Sequence, residues 1–111
     1  MSDDDITDLP QLAARLLDVA KEAKAGRAAE TILSGLVQRA TVIALSAGSA
    51  MNEHDSPPSA TLQVLAGHVR LSTQDRSWEA RPGQFLAVPP QRHGVEALED
   101  SAILLTVALN D

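Results

Sequence analysis

The sequence predicts an all-β fold, an antiparallel sandwich or barrel, with a single helix at its N-terminal side. From Ala29 onward, segments of five to nine residues rich in Val, Ile, Leu and Thr are separated every eight to twelve residues by turn-forming residues, a spacing typical of antiparallel sandwiches and barrels. Before Ala29, apolar residues recur instead at the three- and four-residue spacings of a helix. The chain has 111 residues, of which 44% are hydrophobic, the size and composition of one domain with one core. We therefore expect a tail and helix in residues 1–28 and a β-barrel domain in residues 29–111.

The helix is predicted from an apolar stripe and from residues suited to its ends. Asp8 fits the N-cap, Pro10 the first turn and Gly26 the C-cap. The stripe must pack against the barrel or against a partner subunit. It consists of Leu9, Leu12, Leu16, Val19, Ala20 and Ala23.

Eight or nine strands are predicted, and turn residues separate them. Pro82 and Gly83 stand where a type II turn needs them, and Glu99 and Asp100 are expected to turn a final hairpin. The strands are predicted at 29–33, 36–45, 49–54, 60–66, 67–73, 77–81, 84–88, 92–98 and 101–109.

Two details of the apolar pattern refine the prediction. Apolar residues occupy even-numbered positions up to Ala66 and odd-numbered positions from Val69, which indicates a bulge or bend at Gly67. In the strand at 101–109 both faces are largely apolar, so it is expected in the interior of the sheet arrangement.

Composition excludes several classes of function. A net charge of -6 disfavours a nucleic-acid surface, and the absence of cysteine excludes disulfides, thiolate nucleophiles, zinc fingers and iron–sulfur clusters. The N-terminus is acidic and no apolar run approaches a membrane span. We expect a soluble cytoplasmic protein without a nucleic-acid or membrane partner. Its chemistry, if any, must come from carboxylates or from three histidines, His54, His68 and His93.

The segment from about residue 36 to residue 109 resembles a small single-domain cupin, most specifically in the phrases VLAG and PGQFLAVPPQRH. The first cupin motif is Gly, five residues, His-x-His, three or four residues, Glu, six residues, Gly, and its spacing is kept from Gly48 through His54 to Gly67. Of the second motif, Gly83, Pro89 and His93 match. The resemblance implies a double-layered jelly-roll barrel following the N-terminal helix.

The departures from the cupin pattern bear on the metal site that it implies. Cupin metal centres use three histidines and one glutamate. His54 and His93 match two of these ligands, whereas Ser56 replaces the second histidine and Ala60 the glutamate. Two imidazoles alone hold a divalent ion weakly. The expected cofactor is therefore either none or one weakly held divalent transition metal at His54 and His93, and no catalytic residue is assigned.

Other polar residues are interpreted one by one. We expect His93 inside the barrel and His68 on the surface beside Arg70. Gln63, within an apolar strand, projects either toward a polar pocket or toward solvent. The expected ligand pocket comprises His54, Ser56, His93 and, in the first case, Gln63. Trp78 is interpreted as a packing residue.

Three functions are compatible with this pattern. The favoured one is a non-catalytic small cupin that binds a small molecule or a weakly held metal in its barrel. The second is a metal-dependent enzyme of dioxygenase or isomerase type using His54 and His93 with a further ligand. The third is a structural or regulatory barrel with no ligand. In each case we expect a homodimer, because open sheet edges are commonly covered by association, through the helix stripe and strand 29–33.

Overall fold

Two antiparallel sheets and one helix form the molecule in a computed structural model that describes residues 5–54 and 59–109, with residues 52–54 described for the backbone alone. This agrees with the all-β barrel and N-terminal helix predicted from the sequence. The elements are α1 (Leu9–Glu22), β1 (Arg27–Ser34), β2 (Gln38–Leu45), β3 (Ala50–His54), β4 (Ala60–Ala66), β5 (Val69–Ser72), β6 (Ser77–Ala80), β7 (Phe85–Ala87), β8 (His93–Ala97) and β9 (Ser101–Ala108).

The strands form a five-stranded sheet in the order β1-β2-β9-β4-β7 and a four-stranded sheet in the order β3-β8-β5-β6. Consecutive strands repeatedly cross between the sheets, which is the double-layered arrangement of a jelly roll. The predicted interior position of the last strand is confirmed, because β9 lies between β2 and β4.

The space between the two sheets is filled by aliphatic side chains, here called the inner core. Because side chains alternate along a strand, every second residue of β2, β4 and β9 points into it. Its buried members are Ile43, Leu45, Leu62, Val64, Val69, Leu71, Ala80, Val95, Ala97 and Ile103, with Trp78 partly buried against them. The packing role predicted for Trp78 is thus observed, and the Arg76 guanidinium lies 4.6 Å from the centre of its ring.

Helix α1 covers the outer face of the five-stranded sheet. Leu12, Leu16 and Ala20 pack there on Val42 and Ala44 of β2, and this contact explains why β2 is apolar on both faces. Of the predicted stripe, Leu12, Leu16 and Ala20 are thus buried within the chain, whereas Val19 is 52% exposed and does not belong to the buried face. Of the helices in the described residues, none is long and apolar enough to cross a membrane.

The N-terminal end of α1 is as predicted, and its C-terminal end is not. Asp8 is the N-cap, and its carboxylate accepts a hydrogen bond from the backbone N–H of Gln11 at 3.0 Å. The C-cap is Ala23, three residues before Gly26. Gly26 instead belongs to the turn into β1, where its backbone N–H donates to the Ala23 carbonyl.

Gly67 marks the place where the chain leaves one sheet for the other. It has a φ of +85° and lies between β4 of the five-stranded sheet and β5 of the four-stranded sheet. The predicted bend is confirmed, and the change of parity in the apolar pattern follows from this crossing. Glu99 and Asp100 also turn the chain from sheet to sheet, since β8 and β9 are not paired, so the predicted final hairpin is wrong.

Candidate functional site

His93 lies at one end of the barrel on the inner face of β8. Only 3% of its surface is exposed, and it follows the same alternation as Val95 and Ala97 of the inner core. The interior location expected for this residue is thus observed.

The orientation of the His93 ring is set by the loop before it. Its Nδ1 lies 3.0 Å from the Gln91 carbonyl oxygen. Because a carbonyl can only accept, Nδ1 carries the hydrogen, and in the neutral ring Nε2 is then the acceptor or metal-ligating nitrogen. A backbone carbonyl holding the second ring nitrogen is also how proteins orient histidines that bind metals.

His54 ends β3, and the register of the four-stranded sheet pairs it with His93. The backbone therefore brings together the two positions that resemble cupin ligands. The side chain of His54 lies outside what the structure describes, as does Ser56 in the segment 55–58. Their predicted roles in the pocket stay predictions.

A polar cleft of about 780 Å³ opens at the same end of the barrel. One wall is the turn between β5 and β6, with Thr73, Gln74 and Asp75, and the other is the loop before β8, with Gln91 and Arg92. In the register of β5 and β8, Thr73 lies one residue beyond the Ser72–Gly94 pair, which places this wall beside His93. The described lining is thus two carboxamides, a carboxylate, a guanidinium and a hydroxyl.

The turn that forms the first wall is stabilised by Thr73. Its buried hydroxyl donates to Asp75 Oδ1 at 3.2 Å and accepts from the backbone N–H of Arg76 at 3.2 Å. Such hydroxyl-to-backbone bonds stabilise tight turns. Sequence analysis did not select Thr73, Gln74 or Asp75. The sequence signal for this wall is a Thr-x-Asp turn between two short strands, and such a signal predicts a turn but not a binding site.

Gln63 does not join His93, which corrects its predicted place in the pocket. Leu62 and Val64 point into the inner core, so Gln63, between them, points to the outer face of the five-stranded sheet. Its register partner Leu104 packs under the helix on that same face. An outward-pointing Gln63 was one of the two orientations that the sequence allowed.

The prediction that His68 is a surface residue is wrong. Its side chain is about nine-tenths buried, and Nε2 donates to Glu79 Oε1 at 2.7 Å. Glu79 also lies 3.5 Å from Arg70, which in turn pairs with Glu96 at 3.4 Å. The hydrogen bond from His68 is the main reason that the pKa of Glu79 lies below its ordinary value of 4.5. His68 was correctly placed on the face of Arg70, but its ring is hydrogen-bonded to Glu79 and its backbone to Ser101 Oγ.

The residues with described side chains do not by themselves fit a cupin metal centre. Among them no group of three His, Asp or Glu residues could hold a metal ion. At the position of the cupin glutamate, Ala60 is a buried methyl group. Of the four positions that resemble cupin ligands, the described side chains therefore supply one metal-ligating group, His93.

Comparisons with known proteins agree with this architecture. No protein-family model matches the sequence, and no curated protein matches it. Among solved structures, a conserved protein of unknown function from Streptococcus pyogenes is 22% identical with a TM-score of 0.73, and the match covers 96% of this chain and 93% of that one. A cupin superfamily protein from Desulfitobacterium hafniense is 13% identical with a TM-score of 0.71, covering 76% of this chain and 78% of that one. KdgF from a Halomonas species is 17% identical with a TM-score of 0.69, and the match covers 80% of this chain and 85% of that one.

The match to the Streptococcus pyogenes protein covers 96% of this chain and so includes α1, whereas the matches to the other two structures cover 76% and 80% of it. At such low identities the likeness concerns the fold, and function has to be argued from the site. The chain has the fold of a small cupin, and a helix packs across its five-stranded sheet.

Proposed function

We propose that this cupin-fold protein binds a small polar molecule, without catalysis, in the cleft at the end of the barrel beside His93. The observation that carries the proposal is the cleft itself, of about 780 Å³ and lined by polar side chains on two loops. This volume lies within the range of small-molecule sites.

The rim of the barrel suits a ligand better than its centre. The inner core is packed with aliphatic side chains from both sheets, and burying a polar molecule among them would leave its polar groups without partners. At the rim, Gln74 and Gln91 offer both donors and acceptors, and Asp75 and Arg92 offer one charge of each sign. These groups favour a ligand that is itself rich in hydrogen-bonding groups.

His93 supplies the connection between the cleft and the barrel. With its Nδ1 hydrogen directed to the Gln91 carbonyl, Nε2 is the ring nitrogen that a ligand hydroxyl or amide, or a divalent metal, would contact. We propose that a metal held there through His54 and His93 is held weakly, because two imidazoles are fewer than the three protein ligands of a typical catalytic site.

Metal content and metal affinity test this proposal directly. Protein purified without a histidine tag is analysed for bound metals and then titrated with Zn²⁺ and Mn²⁺ by calorimetry. We expect less than one metal per chain after purification and weak binding that His93→Ala removes. Because His68 lies away from the cleft, His68→Gln is the matched control and should bind as the unaltered protein does.

Binding of small molecules is tested with a library of polar compounds by ligand-observed NMR. Compounds that bind should lose their signal changes in Arg92→Ala and Gln74→Ala, and they should keep them in Arg39→Ala, a surface arginine on another strand. A library without a binder, or binders insensitive to the cleft variants, would contradict the proposal.

A metal-dependent enzyme of dioxygenase or isomerase type is the second candidate. It is favoured by the bond from His93 Nδ1 to Gln91, an arrangement that metal ligands share. One tightly bound iron, manganese, nickel or zinc per chain, lost in His93→Ala, would place this candidate first.

A barrel with no ligand is the third candidate, favoured by its filled aliphatic interior. A negative outcome in both the metal and the library experiments would leave a structural or regulatory role.

A further inference from the structure

The two walls of the cleft beside His93 carry opposite charges. Asp75 belongs to the turn between β5 and β6, and Arg92 belongs to the loop before β8. The other described lining residues, Thr73, Gln74 and Gln91, are uncharged. A ligand that spans the cleft therefore meets a carboxylate on one side and a guanidinium on the other.

The carboxylate of Asp75 is held in place by its own turn. The Thr73 hydroxyl donates to Asp75 Oδ1 at 3.2 Å, and the Thr73 backbone N–H donates to the Arg76 carbonyl at 2.8 Å, which closes the turn. An ionised carboxylate has about four acceptor sites, so the bond from Thr73 orients the group and leaves acceptor sites for a ligand.

The loop that carries Arg92 is held by its neighbours in sequence. His93, only 3% exposed, fixes the end of the loop in the barrel, and its Nδ1 donates to the Gln91 carbonyl at 3.0 Å. The guanidinium of Arg92 has five N–H donors, more than a single partner uses, in a planar arrangement that matches a carboxylate.

Opposite charges on two walls favour one class of ligand over three others. An anion that pairs with Arg92 faces the carboxylate of Asp75 in a chain whose net charge is -6, and a cation that pairs with Asp75 faces Arg92. A neutral polyol displaces water from both charged groups without supplying an opposite charge to either. A molecule with one group of each sign forms a charge-assisted hydrogen bond on each wall, and such bonds are stronger than those between neutral groups.

We propose that the ligand of this cleft is a small zwitterion of the amino-acid type, whose carboxylate binds Arg92 and whose ammonium group binds Asp75. This inference rests on the proposed function, because it names the ligand class of the same cleft. Gln74 and Gln91 then contact the part of the ligand that joins its two charged groups.

Calorimetric titration with matched compounds tests the ligand class. The amino acids are glycine, β-alanine, γ-aminobutyrate and ε-aminocaproate, in which the two charges stand progressively further apart. Each is compared with its amide, which lacks the carboxylate, with its N-acetyl derivative, which lacks the ammonium group, and with the neutral polyol erythritol. The amino acid of best-fitting length should bind about tenfold or more tighter than its two derivatives and erythritol, because a hydrogen bond to a charged group contributes at least that factor to affinity.

Two charge-removing variants test the orientation of the ligand. Arg92→Gln should weaken binding of the amino acid and of its N-acetyl derivative by about tenfold and leave binding of the amide unchanged. Asp75→Asn, which keeps an acceptor for the Thr73 hydroxyl, should weaken the amino acid and the amide and leave the N-acetyl derivative unchanged. A merely structural disturbance of the cleft would weaken all three compounds alike.

Matched control variants remove the same charges elsewhere. Asp18→Asn lies on the exposed side of α1, and Arg81→Gln follows β6 at the end of that strand opposite to the cleft. Both should bind every compound as the unaltered protein does. Circular dichroism and urea unfolding establish that each variant is folded.

The outcomes separate this inference from the proposed function. Binding of erythritol or of either derivative as tightly as the amino acid, lost in the cleft variants, would overturn the zwitterion and leave the cleft as a binding site. Equal weakening of all three compounds by Arg92→Gln and by Asp75→Asn would also overturn it. If neither the amino acids nor the library of polar compounds contains a binder, the inference and the proposed function both fail.

Discussion

Replacing Gly67 with alanine is expected to destabilise the protein strongly, for two separable reasons. Gly67 has a φ of +85°, a conformation that costs an L-amino acid with a side chain about 1–2 kcal/mol. In addition, a Cβ at this position would overlap the Asp100 carbonyl oxygen and Ser101 Oγ and would lie 2.7 Å from Ser101 Cα. The neighbours are largely backbone, so the turn before β9 would have to move.

The second reason can be measured by difference. Forcing extra volume into a packed site costs about 1–3 kcal/mol, so Gly67→Ala should lower the free energy of unfolding by about 2–5 kcal/mol in total. Gly83 has nearly the same φ, +86°, but no atom outside residues 82–84 lies within 4 Å of a Cβ built there. Gly83→Ala should therefore show the conformational cost alone, about 1–2 kcal/mol.

Urea unfolding is the assay, followed by the fluorescence of Trp78, the one tryptophan of the chain, and by circular dichroism. The two variants are compared at equal protein concentration, because association would stabilise the folded state. If both alanine variants lose the same stability within about 0.5 kcal/mol, the usual scatter of surface substitutions, the contact with the β8–β9 turn is not what makes glycine necessary at position 67.

Three further predictions concern the helix and the buried histidine. Leu16→Ala should lower the free energy of unfolding by about 2–5 kcal/mol, because Leu16 is buried between helix and sheet, while Val19→Ala on the exposed side should change it by less than about 0.5 kcal/mol; both are measured by urea unfolding. Asp8→Ala removes the N-cap hydrogen bond and should cost about 1 kcal/mol in the same assay. The hydrogen bond from His68 is the first cause of the lowered pKa of Glu79. Because the pKa is lower in the folded state, the ionised carboxylate stabilises the fold at pH values above the pKa that Glu79 has in the unfolded chain. This contribution is lost as the pH falls through the pKa of Glu79 in the folded protein. Stability measured across pH 3–6 should consequently vary less in Glu79→Gln than in the unaltered protein below about pH 4.5, and equal slopes would show that the His68–Glu79 bond adds no such contribution.

The fold was predictable because local chemistry and long-range packing agree along the chain. Strand 101–109 is apolar on both faces, and the structure gives it a sheet neighbour on each side, the inner core on one face and the helix on the other. Pro82 and Gly83 were assigned to a type II turn, and the positive φ of Gly83 with the bond from Gln84 N–H to the Arg81 carbonyl agrees with it. The sequence signals for these two features, an apolar run and a Pro-Gly turn, each lie within a few consecutive residues.

The candidate site was less predictable because it depends on which loops meet. The alternation that His68 shares with Arg70 predicts exposure, yet the partner of its ring is Glu79, 11 residues away, and its backbone bonds to Ser101, 33 residues away. The wall of Thr73, Gln74 and Asp75 reaches the cleft only because β5 and β8 are neighbours. Nothing in the local pattern states which strands pair.

The cupin resemblance itself has a physical explanation in the structure. Its matched glycines, Gly48, Gly67 and Gly83, all have φ near +85°. They are the positions at which the backbone must turn between strands, a requirement that holds whether or not a metal is present. The glycine spacing therefore supports the barrel, while the metal depends on separate positions, of which Ser56 and Ala60 differ from the pattern.

The position of α1 has a consequence for how the chain folds. The helix comes first in the sequence, and the surface it covers is built from β1, β2, β4 and β9. Leu104 of β9 lies more than 80 residues after Leu16. During synthesis the apolar stripe has no complete docking surface until β9 has emerged from the ribosome. Contacts between residues so distant in sequence slow folding. Until its partner strands have formed, the apolar face of the helix is exposed to aggregation and to chaperones. Formation of β9 is thus the event that completes the burial of the helix, which β1 and β2 begin.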